Sequence, residues 1–190
     1  QYESKAIILN AAGSQVASFI RKMALVNGIE VIDIVRKKEN ANKLINEGAK
    51  HVLVETDEDF VEQLGNLSKS LGATVAYDAV GGSLSGLMFN ALSTDSELVI
   101  YGGLSGKPIA EVDIMDLIFN NKIISGFNLM DWKAEIEQDE FERISEELQD
   151  GFISGKYHTN IRGFSSLDDI VKGLRSYISD MSLGKLLIKH

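Results

Sequence analysis

In the first half of the chain, unbroken apolar blocks of strand length alternate with stretches whose apolar positions recur every three or four residues. Ala6-Ile7-Ile8-Leu9 is the first block; it passes through Ala11-Ala12-Gly13-Ser14 into a predicted helix buried along Val16, Phe19, Ile20, Met23 and Val26 and stopped by Gly28. Glu30-Val31-Ile32-Asp33-Ile34-Val35 is a second strand, and a polar helix runs from about Lys38 to Gly48. His51-Val52-Leu53-Val54 is a third, followed by a helix carrying Phe60, Val61, Leu64, Leu67 and Leu71. Thr74-Val75-Ala76-Tyr77-Asp78 and Glu97-Leu98-Val99-Ile100-Tyr101 are the fourth and fifth, with Gly81-Gly82 and a helix from about Leu84 to Leu92 between them. Such alternation with short links implies parallel strands joined by right-handed crossovers, a doubly wound α/β sheet with helices on both faces.

Past Pro108 the rhythm loosens. Asp113 to Asn120 predicts a short helix and residues 123–129 a sixth strand. A long amphipathic helix follows with Phe141, Ile144, Leu148 and Phe152 on one stripe. The tail holds an extended segment at 161–165, a helix at 167–178 and a last strand at 186–188. This divides the chain into a main domain over residues 1–155 and a tail over 156–190 with too few apolar residues for a core of its own.

A formal net charge of -9 disfavours nucleic acid and anionic membrane as partners, because both need a broad basic surface. The chain has no cysteine, and its three histidines, His51, His158 and His190, lack ligand spacing, so no metal is expected. No apolar run approaches the roughly 20 residues of a membrane span, and Gln1-Tyr2-Glu3-Ser4 lacks a secretory pattern. The expected location is cytoplasmic or the mitochondrial matrix, not secreted, and a start at Gln1 without Met suggests trimming from something longer.

In a doubly wound sheet ligands lie beyond the carboxyl ends of the strands. The turns at 12–16, at Arg36, at 80–82 and at 102–104 all fall at that edge. The first joins a buried strand to a helix through small residues, which leave backbone N–H groups uncovered and aim a helix dipole at any anion there. A plain helix cap by Ser14 is the bland alternative.

With its elements placed, the chain resembles the nucleotide-binding domain of the medium-chain dehydrogenase/reductase family, in the zinc-independent quinone reductase and enoyl thioester reductase branches. The residues that carry the likeness are Ala11-Ala12 with Ser14 and Val16, Val35-Arg36, Gly48-Ala49, Asp78-Ala79-Val80-Gly81-Gly82, Tyr101-Gly102-Gly103, and Gly126-Phe127-Asn128-Leu129 with Trp132, in family order over nearly all 190 residues. Ala17 stands where the family usually has Gly.

The resemblance implies a Rossmann-type sheet of about six strands with a dinucleotide along its carboxyl edge. The implied cofactor-binding residues are Ser14, Gln15 and Val16 at the pyrophosphate, Arg36 and Lys37 at the adenine ribose, Val80, Gly81, Tyr101, Gly102, Gly103 and Leu104 in the cleft, and Phe127, Asn128 and Leu129 at the carboxamide. Val35 occupies the usual acidic position and a guanidinium grips a 2′-phosphate, so NADP is expected over NAD. Asp33, two residues earlier, is the complication and reads as a packing group. The implied reaction is hydride transfer from NADPH to an activated C=C bond or a quinone. The family's GroES-like catalytic domain, to which the tail returns, has no counterpart in this sequence, so no catalytic residue is assigned and the chain alone is expected to be inactive. A homodimer through strand 123–129 is implied as well. The alternative reading is a non-catalytic dinucleotide-binding sensor or regulatory module; a methyltransferase on the same fold fits poorly, since Val35-Arg36 replaces the acidic residue it would want.

Overall fold

The apolar blocks become strands because each is flanked by turns that return the chain to the same end of one sheet. The computed structural model describes residues 4–179 and 181–189. Its first elements are β1 (Ala6–Leu9), α1 (Gln15–Val26), β2 (Glu30–Val35), α2 (Lys38–Asn46), β3 (His51–Val54), α3 (Phe60–Leu71), β4 (Ala73–Asp78), α4 (Ser83–Ala91), β5 (Glu97–Ile100), α5 (Ile114–Phe119) and β6 (Ile123–Gly126). The six strands form a single sheet in the order β3-β2-β1-β4-β5-β6, and every pair is parallel. From β1 the chain winds outward through β2 to β3, then crosses back to β4 and winds the other way. The order reverses between β1 and β4, so the loops leaving these two strands diverge and open a crevice at the carboxyl edge.

All four residues of β1 are buried, as the centre of a sheet covered on both faces requires. On one face Ile8, Ile32, Ile34, Ala76 and Leu98 pack with Phe60, Leu64, Met88 and Phe89 of α3 and α4. On the other, Val35 and Val54 pack with Ala12, Ala41 and Leu44. Gly86 in α4 lets residues 110–111 cross the helix, since a Cβ there would lie 2.1 Å from the Ala110 carbonyl oxygen. Lys122 is buried against the end of α4, where Nζ donates to the Phe89 and Asn90 carbonyls at 3.2 Å and pairs with Asp116 at 2.7 Å.

Two expectations from the pattern need correction. The sixth strand ends at Gly126, not residue 129, and Leu129 opens a short helix, α6 (Leu129–Glu135). Its length is set by its neighbour: Gly126 pairs with Ile100, the last residue of β5, and the Phe127 N–H closes on the Ile100 carbonyl at 2.8 Å. The apolar stripe of α1 is also displaced. Val16, Met23 and Val26 are exposed at 49, 46 and 68%, whereas Ala17 and Ala24 are buried. The methyl of Ala17 is accommodated with no exposure.

The chain divides into two compact units, one of residues 4–13 and 20–129, the other of residues 14–19 and 130–189. The second contains α7 (Gln138–Ile153), β7 (Ile161–Ser166), α8 (Ile170–Ser179), a 3-10 turn (Met181–Leu183) and β8 (Lys185–Lys189), with β7 and β8 paired in parallel. Tyr157 is its centre, edge-on to Phe19 and Phe152 at 5.4 and 6.0 Å and seated over Gly151, where a Cβ would lie 2.3 Å from the ring.

Candidate functional site at the carboxyl edge

Beyond Leu9 the chain turns sharply. Ala11 has φ +44°, in the left-handed region, and the Ala12 N–H reaches the Ile34 carbonyl at 3.2 Å, which ties the turn to β2. Gly13 is exposed, its φ is ordinary, and a Cβ there would touch nothing, so packing does not explain the glycine. In the second unit, the Ser14 hydroxyl accepts the Ala17 N–H at 3.2 Å, which is a helix cap. Both ends of the Gln15 amide are occupied: Nε2 donates to the His158 carbonyl at 3.0 Å and Oε1 accepts the Asn160 N–H at 3.3 Å. Among the described residues, no acceptor takes the backbone N–H of Gln15 or of Val16.

At the end of β2, Val35 is buried and Arg36 and Lys37 are exposed. Lys38 pairs with Asp57 at 3.1 Å, whereas no ion pair holds Arg36 or Lys37 among the described residues. Glu55 lies near Arg36; burial pushes its carboxyl up and the guanidinium pulls it down. Asp33 is fully buried and paired with Arg21 of α1, whose Nη2 also donates to the Ala12 carbonyl at 3.0 Å. Burial, opposed by Arg21, pushes the Asp33 carboxyl up to about 6. Oδ2 of Asp33 has no hydrogen-bond partner among the described residues.

The turns after β4 and β5 are fastened together. Asp78 Oδ1 accepts Asn10 Nδ2 and the N–H groups of Val80 and Gly81, at 2.5, 2.7 and 3.0 Å; Oδ2 accepts the Ser85 hydroxyl. Asn10 in turn accepts the Ala79 N–H at 2.8 Å, so one buried network joins β1, β4 and α4. Leu104 and Ser105 donate to the Ala79 and Val80 carbonyls at 3.0 and 2.9 Å. A Cβ on Gly102 would lie 2.9 Å from the Ala79 oxygen, so glycine is what lets the two turns meet. Gly81, buried with φ +78°, has Lys107 and Ser105 over it. Gly103 differs from both: it is exposed, with open space where a Cβ would be. Tyr101 is half-buried, and burial, then Asp78, pushes its hydroxyl up. Phe127, Asn128 and Leu129 follow β6 at the same edge and are exposed.

The first unit therefore brings together Arg36, Lys37, Val80, Gly81, Tyr101, Gly102, Gly103, Leu104, Phe127, Asn128 and Leu129 at one edge of its sheet; Ser14, Gln15 and Val16 begin α1 in the second. Sequence reasoning missed Asn10, Ser85 and Arg21. Arg21 had a signal, a lone cation at i+4 from Ala17 and three residues before Ala24 on what is the buried stripe. Among the described residues no group of three His, Cys, Asp or Glu could hold a metal ion, and no helix is long and apolar enough to cross a membrane.

Residues 16–149 match the family model described as zinc-binding dehydrogenase. The mitochondrial enoyl-[acyl-carrier-protein] reductase of Xenopus tropicalis is 32% identical over 148 residues, 76% of this chain and 42% of that protein. A candidate NADPH:quinone reductase from Mesorhizobium loti superposes with TM-score 0.91 at 28% identity, over 99% of this chain and 54% of that one. A mitochondrial 2-enoyl thioester reductase heterodimer from Candida tropicalis shares the fold, with TM-score 0.78 at 18% identity over 100% of this chain and 55% of that one. The chain thus spans about half the length of the proteins it matches. With the six-stranded parallel sheet and the family model agreeing, the chain belongs to the zinc-binding dehydrogenases, the medium-chain dehydrogenase/reductase family, on its zinc-independent quinone and enoyl reductase branch.

Proposed function

We propose that this chain is the NADP(H)-binding part of an oxidoreductase that moves hydride from NADPH to an activated C=C bond of an enone or enoyl thioester, or to a quinone. The observation that carries the cofactor is the end of β2, where Val35 is buried, Asp33 is engaged by Arg21, and Arg36 and Lys37 are exposed. A carboxylate facing a ribose would repel a 2′-phosphate; a guanidinium binds it through charge-assisted hydrogen bonds. Gly13 and Gly103 fit a dinucleotide too, since neither is needed by the packing around it and both leave backbone uncovered.

In this reading the N–H groups of Ser14, Gln15 and Val16 hold the pyrophosphate, and Arg36 and Lys37 hold the 2′-phosphate. Val80, Gly81, Tyr101, Gly102, Gly103 and Leu104 line the cleft, and the backbone of Phe127, Asn128 and Leu129 orients the carboxamide. The nicotinamide, when bound, supplies the hydride. The main domain covers residues 1–155; the tail 156–190 joins a substrate-binding half that lies outside this sequence and stabilises the enolate. The chain alone would then turn over no enone at enzymic rates, because substrate positioning is missing. The mitochondrial name of the Xenopus tropicalis relative favours a matrix location.

The same reading includes a homodimer through β6, an edge strand of the sheet. The Ile123 and Phe127 N–H groups point to β5, so by alternation those of Ile124 and Gly126 point outward. Ile124→Pro, which removes an outward donor, should give a monomer in sedimentation; a monomeric unmutated chain at high concentration would count against the dimer.

Titration calorimetry tests the cofactor. Arg36→Ala should weaken NADPH binding about ten- to a hundred-fold, the loss of a charge-assisted contact, and leave NADH nearly unchanged. Equal affinity of the unmutated chain for the two nucleotides would refute the assignment.

A further inference from the structure

Asp78 closes β4 with no exposure, and the reaction proposed above makes no use of its charge. Its contacts are all donors: Asn10 Nδ2 and the N–H groups of Val80 and Gly81 on Oδ1, and the Ser85 hydroxyl on Oδ2. Three N–H groups on one oxygen suit the ionised carboxylate, because an N–H can only donate. No lysine or arginine pairs with it among the described residues. Lys107 crosses Gly81 with its backbone, yet the residue is exposed and makes no ion pair there. The first turn of α4, where Ser85 sits, offsets part of the charge, since a helix N-terminus carries about half an elementary positive charge. The rest is a buried anion, which water screens poorly.

Asp78, Ile100 and Gly126 stand in register at the carboxyl ends of β4, β5 and β6. Neighbouring strands lie about 4.8 Å apart, so the backbone of Asp78 is about 10 Å from that of Gly126, and Phe127 follows directly. The charge is felt at this edge: the Tyr101 hydroxyl, from the residue after Ile100, is pushed up by burial and then by Asp78. Loss of hydride, a hydrogen with its electron pair, to the acceptor turns the neutral dihydronicotinamide ring into a cation. Opposite charges about 10 Å apart at a protein's effective dielectric shift an equilibrium by about three- to tenfold. Resting on the NADP reading above and its carboxamide contact at residues 127–129, we propose that Asp78 tunes the bound cofactor: its buried charge favours the oxidised, cationic nicotinamide over the reduced one and so promotes hydride donation. Asp78 touches no cofactor in this role and acts through its field alone.

Titration calorimetry of oxidised NADP and of NADPH against three chains tests this. The unmutated chain should bind the oxidised form about threefold or more tightly than the reduced one. Asp78→Asn keeps Oδ1 for the same three N–H donors and can donate to the Ser85 hydroxyl, so it removes the charge with little change of shape. It should cut the preference by about threefold or more; the phosphates, carried by both forms, cancel in the ratio. Ser85→Ala disturbs the same network and keeps the charge, and should leave the ratio within about twofold of the unmutated chain. A merely structural Asp78 would shift both forms alike, so an unchanged ratio in Asp78→Asn overturns the proposal, as does a ratio lost in Ser85→Ala. Should Asp78→Asn fail to fold, the other two chains decide: an oxidised form bound no more tightly than the reduced one overturns the proposal. If the unmutated chain binds neither form, the NADP reading fails and this role with it. If it binds both and depends on Arg36, but the ratio does not move in Asp78→Asn, only the role of Asp78 fails.

Discussion

The two units treat their apolar residues in opposite ways. In the first, Ile8, Leu9, Ile32, Ile34, Leu64, Met88, Phe89 and Leu98 are fully buried in a sheet covered on both faces. In the second, two strands pair in parallel beside one helix, and Phe164, Leu174, Ile178 and Leu183 are exposed at 56, 43, 68 and 59%. Parallel pairs are stable as parts of larger, covered sheets, and two strands are the least a sheet can have. The units therefore differ in what holds them: the first has a core of its own, and the second rests on an aromatic knot around Tyr157 and the β7–β8 pair. This difference also fits the first unit carrying most of the candidate site, since loops that must hold a ligand need rigid strands behind them.

That contrast breaks first at Leu98. Leu98→Ala removes a fully buried side chain and should cost about 2 to 5 kcal/mol in denaturant unfolding; a loss under 1 kcal/mol would mean the sheet core is not what holds the first unit.

Next comes Asp33. Its carboxyl is raised from an ordinary 3.8 to about 6, so the folded state holds that proton more tightly than the unfolded chain does. The resulting stabilisation is fully present below about pH 4 and is lost as pH rises through 6, a swing of up to about 3 kcal/mol. Asp33→Asn should flatten that part of the profile. An unchanged slope between pH 4 and 7 would show that burial of Asp33 does not set it.

A smaller effect probes the second unit. Gly151→Ala drives a methyl into the Tyr157 ring and should cost about 1 to 3 kcal/mol, with a change in near-ultraviolet dichroism from the displaced tyrosine. If only part of the unfolding transition moves, the two units melt separately. The smallest effect is expected of Ile178→Ala, on an exposed face of α8, within about 0.5 kcal/mol; a loss near that of Leu98→Ala would mean that this face is covered in solution.

The turns at the sheet's carboxyl edge were legible because their signals are local. Small residues at 11–14, Arg36 after an apolar Val35, and glycines after β4 and β5 mark turns that need uncovered backbone or a close approach, and Gly102 makes such an approach to Ala79. What was not legible depends on partners distant in sequence. Gln15 reads as a helix opener, yet its side chain is taken by residues 158 and 160. Asp78 reads as a strand end, yet it organises a network that includes Asn10, which lies 68 residues away.

The succession of elements and the parallel sense of the main sheet were readable from the chain's own pattern, because block length, helical period and turn residues act over a few neighbours and leave crossovers one handedness. The strand order, the end of β6 at Gly126 and which residues of α1 are buried came from the fold. Strand length depends on the neighbouring ladder, and which side of a helix is covered depends on parts of the chain distant in sequence. The pairing of Arg21 with Asp33 belongs with these, since a buried charge takes its meaning from whichever opposite charge the fold carries to it.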